Sequence, residues 1–270
     1  DTLCVGVSQP ARIYQITLAA ASPGEPWAEL DASYVWGMKV DRDGLLWVGT
    51  GEPGALWRID PAGQSESVYA GEDAHVRTVT LAPGGGVFVG TSGQGLVLQV
   101  DAAGSAFVLL DSDFAEITGL GVLGDDLWIA GNAAATPAAG ANGNSNGGGA
   151  GGSAGPAGGV YRIDVTGGTE LVWSSATFGL HSLAVVDSEV LVGTGSEGKV
   201  LRVAAHRAAG LLVDLDSEQI VAMIALSEGA LVVGSNAAAV YRLRAETRDA
   251  DSVVTAVRDA GVVATWGELR

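Results

Sequence analysis

His75 and His181 are the residues best suited to move a proton in this 270-residue chain, because an imidazole titrates close to neutrality. The third histidine, His206, follows a strand pattern and reads as a surface residue. Asp31, Asp73, Glu116 and Glu218 offer hard carboxylate oxygens of the kind that bind calcium. No nucleophile elbow, phosphate loop, zinc spacing or Ser/His/Asp arrangement accompanies them. Tyr34, Trp36, His75, Arg77, Glu116 and His181, with Glu52 and Glu197, form a different set, suited to holding a ligand or partner. Cys4 is the single cysteine, so no internal disulfide forms, and it reads as a small core hydrophobe.

The elements that must position these residues come from a repeat. Its clearest copy is Leu45-Leu46-Trp47-Val48-Gly49-Thr50-Gly51, a short gap, then Ala55-Leu56-Trp57-Arg58-Ile59-Asp60. Val87 to Thr91 with Leu96 to Asp101, and Val190 to Gly195 with Lys199 to Val203, repeat it. Weaker copies begin at Leu3, Leu127 and Leu231. A spacing of about 40 residues per unit is the signature of a β-propeller. The expected fold is therefore all-β: a six-bladed β-propeller with four antiparallel strands per blade, lettered A to D from the axis outward. The N-terminal unit lacks a strand A, and Gly261 to Leu269 resembles one. The ring is expected to close when this C-terminal strand A joins the N-terminal strands B, C and D, making residues 1–270 a single domain.

Strand A carries the candidate site. Trp36, Arg77, Thr118 and His181 share one position at its top, and four such unlike residues are not dictated by packing alone. They either contact a ligand or plug the channel mouth. The A–B turn Asp41-Arg42-Asp43-Gly44 reads as a hairpin turn. Strand direction alternates, so the B–C turns and the D–A connections emerge on one face. That face gathers Asp31, Tyr34, Trp36, Glu52, Asp73, His75, Arg77, Glu116, His181, Glu197 and Glu218. A repeated arginine in strand C (Arg58, Arg162, Arg202 and Arg242) reads as structural, satisfied by a neighbouring blade. Residues 132–159 are almost wholly Ala, Gly, Asn, Ser and Pro, a composition that cannot bury enough surface to order itself. This low-complexity insertion is expected to be a flexible surface loop, a tether or a lid.

A net charge of −17 excludes nonspecific nucleic-acid binding, which needs a basic face. No run of about 20 apolar residues is present, so no membrane-spanning helix is expected. The chain begins at Asp1 rather than Met, which fits a processed or exported segment, or part of a larger polypeptide.

The stretch Asp41-Arg42-Asp43-Gly44-Leu45-Leu46-Trp47-Val48-Gly49-Thr50 resembles the repeat of two-component-regulator propellers, with its D-G-x-L-W-x-G-T core. The L-W-R-I-D strands, the Ala/Gly/Pro-rich insertion and the closing W-G-x-L-R segment also resemble exported bacterial propeller proteins. This resemblance implies a propeller fold and an extracytoplasmic setting. Two functional readings follow. One is a non-catalytic binding or scaffold module that needs no cofactor and engages a protein or glycan partner through the loop face. The other is a lactonase-like hydrolase or lyase with calcium held by Asp31, Asp73, Glu116 and Glu218.

Overall fold

One aspartate and one glycine build four of the turns between strands. In Asp41 to Gly44, Asp60 to Gly63, Asp101 to Gly104 and Asp164 to Gly167 the same Asp-x-x-Gly spacing recurs. Each Asp Oδ1 accepts from backbone N–H groups two or four residues on: Asp43 and Leu45, Ala62 and Gln64, Ser105, and Thr166 and Gly168. Each glycine takes a positive φ, between 81° and 92°. Only glycine adopts that backbone without steric cost, so the chain reverses there and the next strand pairs antiparallel. Hydrogen bonds from Thr166 and Gly168 also hold the Asp164 carboxyl below the usual carboxylate range.

A computed structural model describes residues 2–17, 24–134, 156–204, 208–236, 238–244, 255–256 and 263–264. All regular elements among them are strands, and no helix there is long and apolar enough to cross a membrane. His206 lies outside the described residues. The chain runs as consecutive antiparallel meanders. The first holds β1 (Thr2–Val7), β2 (Arg12–Thr17) and β3 (Ala28–Glu29). The second holds β4 (Tyr34–Val40), β5 (Leu46–Gly51), β6 (Ala55–Ile59) and β7 (Ser65–Ala70). The third holds β8 (His75–Leu81), β9 (Val87–Ser92), β10 (Leu96–Val100) and β11 (Ala106–Asp111). The fourth holds β12 (Glu116–Leu123), β13 (Asp126–Asn132), β14 (Gly158–Ile163) and β15 (Thr169–Ser175). The fifth holds β16 (Leu180–Val186), β17 (Glu189–Thr194), β18 (Lys199–Ala204) and β19 (Ala208–Asp214). The sixth holds β20 (Gln219–Ala225), β21 (Ala230–Ser235) and β22 (Ala239–Leu243). A short pair, β23 (Thr255–Ala256) and β24 (Val263–Ala264), follows.

The first strands of successive meanders from the second onward pack side by side: β4 on β8, β8 on β12, β12 on β16, and β16 on β20. They are the inner strands of a propeller, and the meanders are its blades. The core lies between blades. Trp47 and Leu56 of the second meander pack with Val76, Val79, Val87, Val89, Leu98 and Val100 of the third. Further round, the equivalent layer joins Ala184, Leu191 and Val200 of the fifth meander to Ile220, Val232 and Tyr241 of the sixth. A sheet covered on both faces explains why β5 is buried at every residue and reads as a continuous apolar run. Outer strands β7 and β11, by contrast, are exposed along most of their length. Cys4 is half-buried against the cluster of Ile13, Leu46 and Val48, and burial pushes its thiol pKa up.

Two expectations need adjustment. The strand C arginines are not uniformly satisfied by a neighbouring blade. Arg58 does reach across, donating from Nη1 to Ala102 O at 2.8 Å while Nη2 meets Glu66 at 2.8 Å. Arg162 and Arg202 instead pair within their own blade, with Asp126 at 3.7 Å and Glu189 at 2.9 Å. The insertion is also narrower than residues 132–159, because Asn132 ends β13 in register with Gly158 of β14. Strand β24 pairs with β23, and among the described residues β1 pairs with β2 alone. The surfaces that a closing blade would cover are apolar and open: Leu3 and Val7 on β1, Ile224 on β20, and Val240 on β22.

Candidate functional site

Each inner strand from β4 to β20 slips by one residue against its partner, always at the equivalent place. The slips fall between Val35 and Gly37, Val76 and Thr78, Ile117 and Gly119, Leu180 and Ser182, and Ile220 and Ala222. The skipped residues are Trp36, Arg77, Thr118, His181 and Val221. A bulge leaves its extra residue unpaired and re-aims the side chain. Ile117, Leu180 and Ile220, just before three of the skipped residues, are fully buried. Trp36 and Val221, however, are 40% and 41% exposed, His181 is exposed, and Arg77 and Thr118 are half-buried. The outer strands β7, β11, β15 and β19 carry bulges too, skipping Val68, Leu109, Val172 and Leu212. Those four are apolar and pack into the inter-blade clusters. The inner bulges alone hold unlike side chains.

Around Trp36 these residues meet. Tyr34 stacks on its ring at a centroid distance of 5.4 Å and an interplanar angle of 25°. Its indole Nε1–H donates to His75 Nδ1 at 3.2 Å, with the imidazole edge-on to the indole. The accepting Nδ1 places the proton of the neutral His75 ring on Nε2. The Arg77 guanidinium lies over the indole, its Cζ 4.4 Å from the ring centroid, a cation–π contact. Arg77 Nε is 3.0 Å from Glu116 Oε1. Gln9 Nε2 donates to the Tyr34 hydroxyl at 3.2 Å. Glycines make room for this cluster: a Cβ at Gly51 would collide with His75 Nδ1 and Trp36 Nε1, and one at Gly195 would collide with the His181 ring.

His181 lies one further blade round, within electrostatic reach of Glu116 and Arg77. Packing of its inner side against the protein lowers its pKa from 6.5; the Glu116 carboxylate opposes this and the Arg77 guanidinium reinforces it. Its other side remains open to solvent. The cluster therefore combines an aromatic surface, a fixed guanidinium, a carboxylate and two imidazoles.

Of the eight residues expected to contact a ligand, Tyr34, Trp36, His75, Arg77 and Glu116 form this contiguous cluster, with His181 beside it. Glu52 and Glu197 sit in the B–C turns. Both take positive φ, 53° and 67°, as do Gln9 and Asn236 at 65° and 62°. Non-glycine residues enter that region rarely, so these turns hold a shared, costly backbone shape. Glu52 N donates to Ala74 O at 2.9 Å, and Glu197 pairs with Lys199.

The four carboxylates considered for calcium have separate surroundings. Asp73 is buried; its Oδ1 accepts from Gln94 N at 2.8 Å, and its Oδ2 has no partner among the described residues. Glu116 pairs with Arg77, Glu218 accepts from Asn236 Nδ2, and Asp31 is exposed. Among the described residues no three His, Cys, Asp or Glu side chains are grouped to hold a metal ion.

One contributing residue was hidden in the sequence by its poor surroundings. Asn132 is buried; its Nδ2 donates to Leu180 O at 2.8 Å and its Oδ1 accepts from Leu180 N at 2.6 Å. It fixes the residue just before His181. The usable signal is positional: Asn132 lies three residues after Ile129 as Gly51 and Ser92 lie three after Val48 and Val89, and those two pair with His75 and Glu116 of the next inner strand.

The model of the two component regulator propeller family matches residues 29–52, which run from the end of β3 through β4 and β5. No curated protein sequence matches the chain. Among solved structures, the nidogen/laminin complex contains a chain similar to this one, with a TM-score of 0.62 and 11% identity, over 90% of this chain and 89% of that one. Virginiamycin B lyase from Staphylococcus aureus is similar at a TM-score of 0.60 and 13% identity, over 78% of this chain and 67% of that one. The extracellular domain of BT4673 from B. thetaiotaomicron is similar at 0.59 and 12% identity; the match covers 86% of this chain and 30% of that longer one. Likeness at these identities establishes the propeller fold.

Proposed function

We propose that this chain is a non-catalytic binding module whose contact surface is the face carrying the inner bulges, and that it works in an extracytoplasmic setting. The observation that carries this reading is the contrast between the two sets of bulges. Five equivalent inner positions are relieved of packing and carry Trp36, Arg77, Thr118, His181 and Val221, whereas the outer ones are used for packing. Side chains that vary on a repeated, rigid frame are where propellers place recognition. A protein or glycan partner suits an open aromatic and polar surface. The similarity to a chain of the nidogen/laminin complex and to the BT4673 extracellular domain supports both the role and the setting.

The same reading takes the ring to have six blades. Leu3, Val7, Ile224 and Val240 leave a seam of exposed apolar surface on either side of the place where a sixth inner strand belongs. Residues 261–269 supply that strand, and closure buries the seam.

The test is a pull-down from the extracytoplasmic fraction with the full chain and with Trp36, Arg77 and His181 all changed to alanine. Loss of the captured partner in a variant that keeps its melting temperature is expected. Undiminished capture overturns the assignment of this face.

A further inference from the structure

We infer that Arg77 anchors a single carboxylate group borne on an apolar body, held at the inner-bulge ring. The inference rests on the reading of that ring as a binding surface and names the chemistry it selects. A free arginine side chain loses several rotatable bonds when it binds. Arg77 has already lost them: its guanidinium lies over Trp36 at 4.4 Å, and its Nε edge is 3.0 Å from Glu116 Oε1. The ion-pair contact of Arg77 with Glu116 is made by Nε and not by the two Nη groups. Together those groups form the planar fork that matches a carboxylate with two parallel hydrogen bonds.

Three observations narrow the ligand. Glu116 already offsets the guanidinium charge, so the ring is no sink for highly charged anions. The chain carries a net charge of −17, which repels polyanions before they reach the ring. Trp36 and Val221 are exposed apolar members of the same ring, so the group attached to the carboxylate gains by being apolar. A monoanion with an uncharged apolar body fits all three. Such a carboxylate is found in a small aryl or alkyl acid and at the carboxyl terminus of a peptide.

The experiment is calorimetric titration of the full chain at low salt with 3-phenylpropionate, its neutral amide and inorganic phosphate. A short peptide ending in phenylalanine is titrated as free acid and as C-terminal amide, which separates the two sources. The acid form of at least one probe is expected to bind about tenfold more tightly than its amide, and phosphate more weakly than either acid. Arg77→Lys keeps the charge without the fork and is expected to lose about tenfold. Glu116→Gln removes the competing carboxylate and is expected to tighten acid binding, which keeps the test decisive if the lysine variant folds poorly. Equal binding of acid and amide, no binding of either, or preferential phosphate binding overturns the inference. Partner capture that depends on the Trp36, Arg77 and His181 set, with no carboxylate binding, removes this inference and leaves the proposed function standing.

Discussion

The side-chain amide of Asn132 pairs with the backbone of Leu180 in both directions, donating at 2.8 Å and accepting at 2.6 Å, as one strand residue pairs with another. Between the second and third meanders the corresponding link is the backbone bridge of Gly51 to His75, and between the third and fourth it is Ser92 to Glu116. The sheet running through those meanders stops after the fourth, and the Asn132 side chain carries the connection onward.

Asn132→Ala therefore strands a buried N–H and a buried C=O on Leu180. Destabilisation of about 3 kcal/mol is expected, read by chemical denaturation with an unchanged m-value. Because Leu180 precedes His181, the His181 imidazole resonance should also shift. A variant as stable as the parent would mean that the backbone rearranges to replace the amide.

Gly51→Ala places a methyl group where His75 Nδ1 and Trp36 Nε1 meet. The blade should still form, at a cost of about 1–3 kcal/mol, while the indole–imidazole hydrogen bond is broken. The Trp36 indole N–H resonance reports this directly and should move upfield. An unmoved resonance would show that the cluster adjusts around the methyl.

Burial on one side holds the His181 pKa below 6.5 in the folded chain, so the unfolded chain binds more protons as the pH falls through 6.5. Folding stability contributed by His181 is thus intact above that pH and declines below it until the folded-state pKa is passed. His181→Gln removes this component. Between neutral and mildly acid pH the melting temperature of the parent should fall more steeply than that of the variant. Parallel curves would contradict the sign.

The strands flanking the insertion are joined without it: Ala133 N donates to Ala157 O at 3.0 Å, beyond the Asn132 and Gly158 pair. Replacing residues 134–156 by a four-residue turn should change stability by no more than about 1 kcal/mol. A large fall in melting temperature would show that the segment packs on the blades.

The blades were legible in the sequence because each repeats an apolar, glycine-punctuated strand pair, and Leu46 to Gly51 is buried on both faces as its composition implies. The position shared by Trp36, Arg77, Thr118 and His181 was legible as a mismatch of side-chain types within a regular repeat. The bulge beneath it was not, because a bulge is a relation between two strands and leaves no mark on the periodicity of one. Val221 was missed for the same reason, being an ordinary residue in an apolar strand. Asn132 was lost among the alanines and glycines that follow it. The surroundings of the carboxylates were not legible either: Asp73 Oδ1 accepts from Gln94 N and Glu218 from Asn236, and residue type alone does not show that.

The paired bulges also bear on how such a chain acquires new specificity. Inner bulge residues hang from a backbone fixed by strand pairing and by inter-blade packing, neither of which consults their identity. Of the five, Val221 is the one without a polar side-chain atom. A combinatorial library restricted to these inner positions would vary the chemistry of the whole ring while leaving the folding code of every blade untouched.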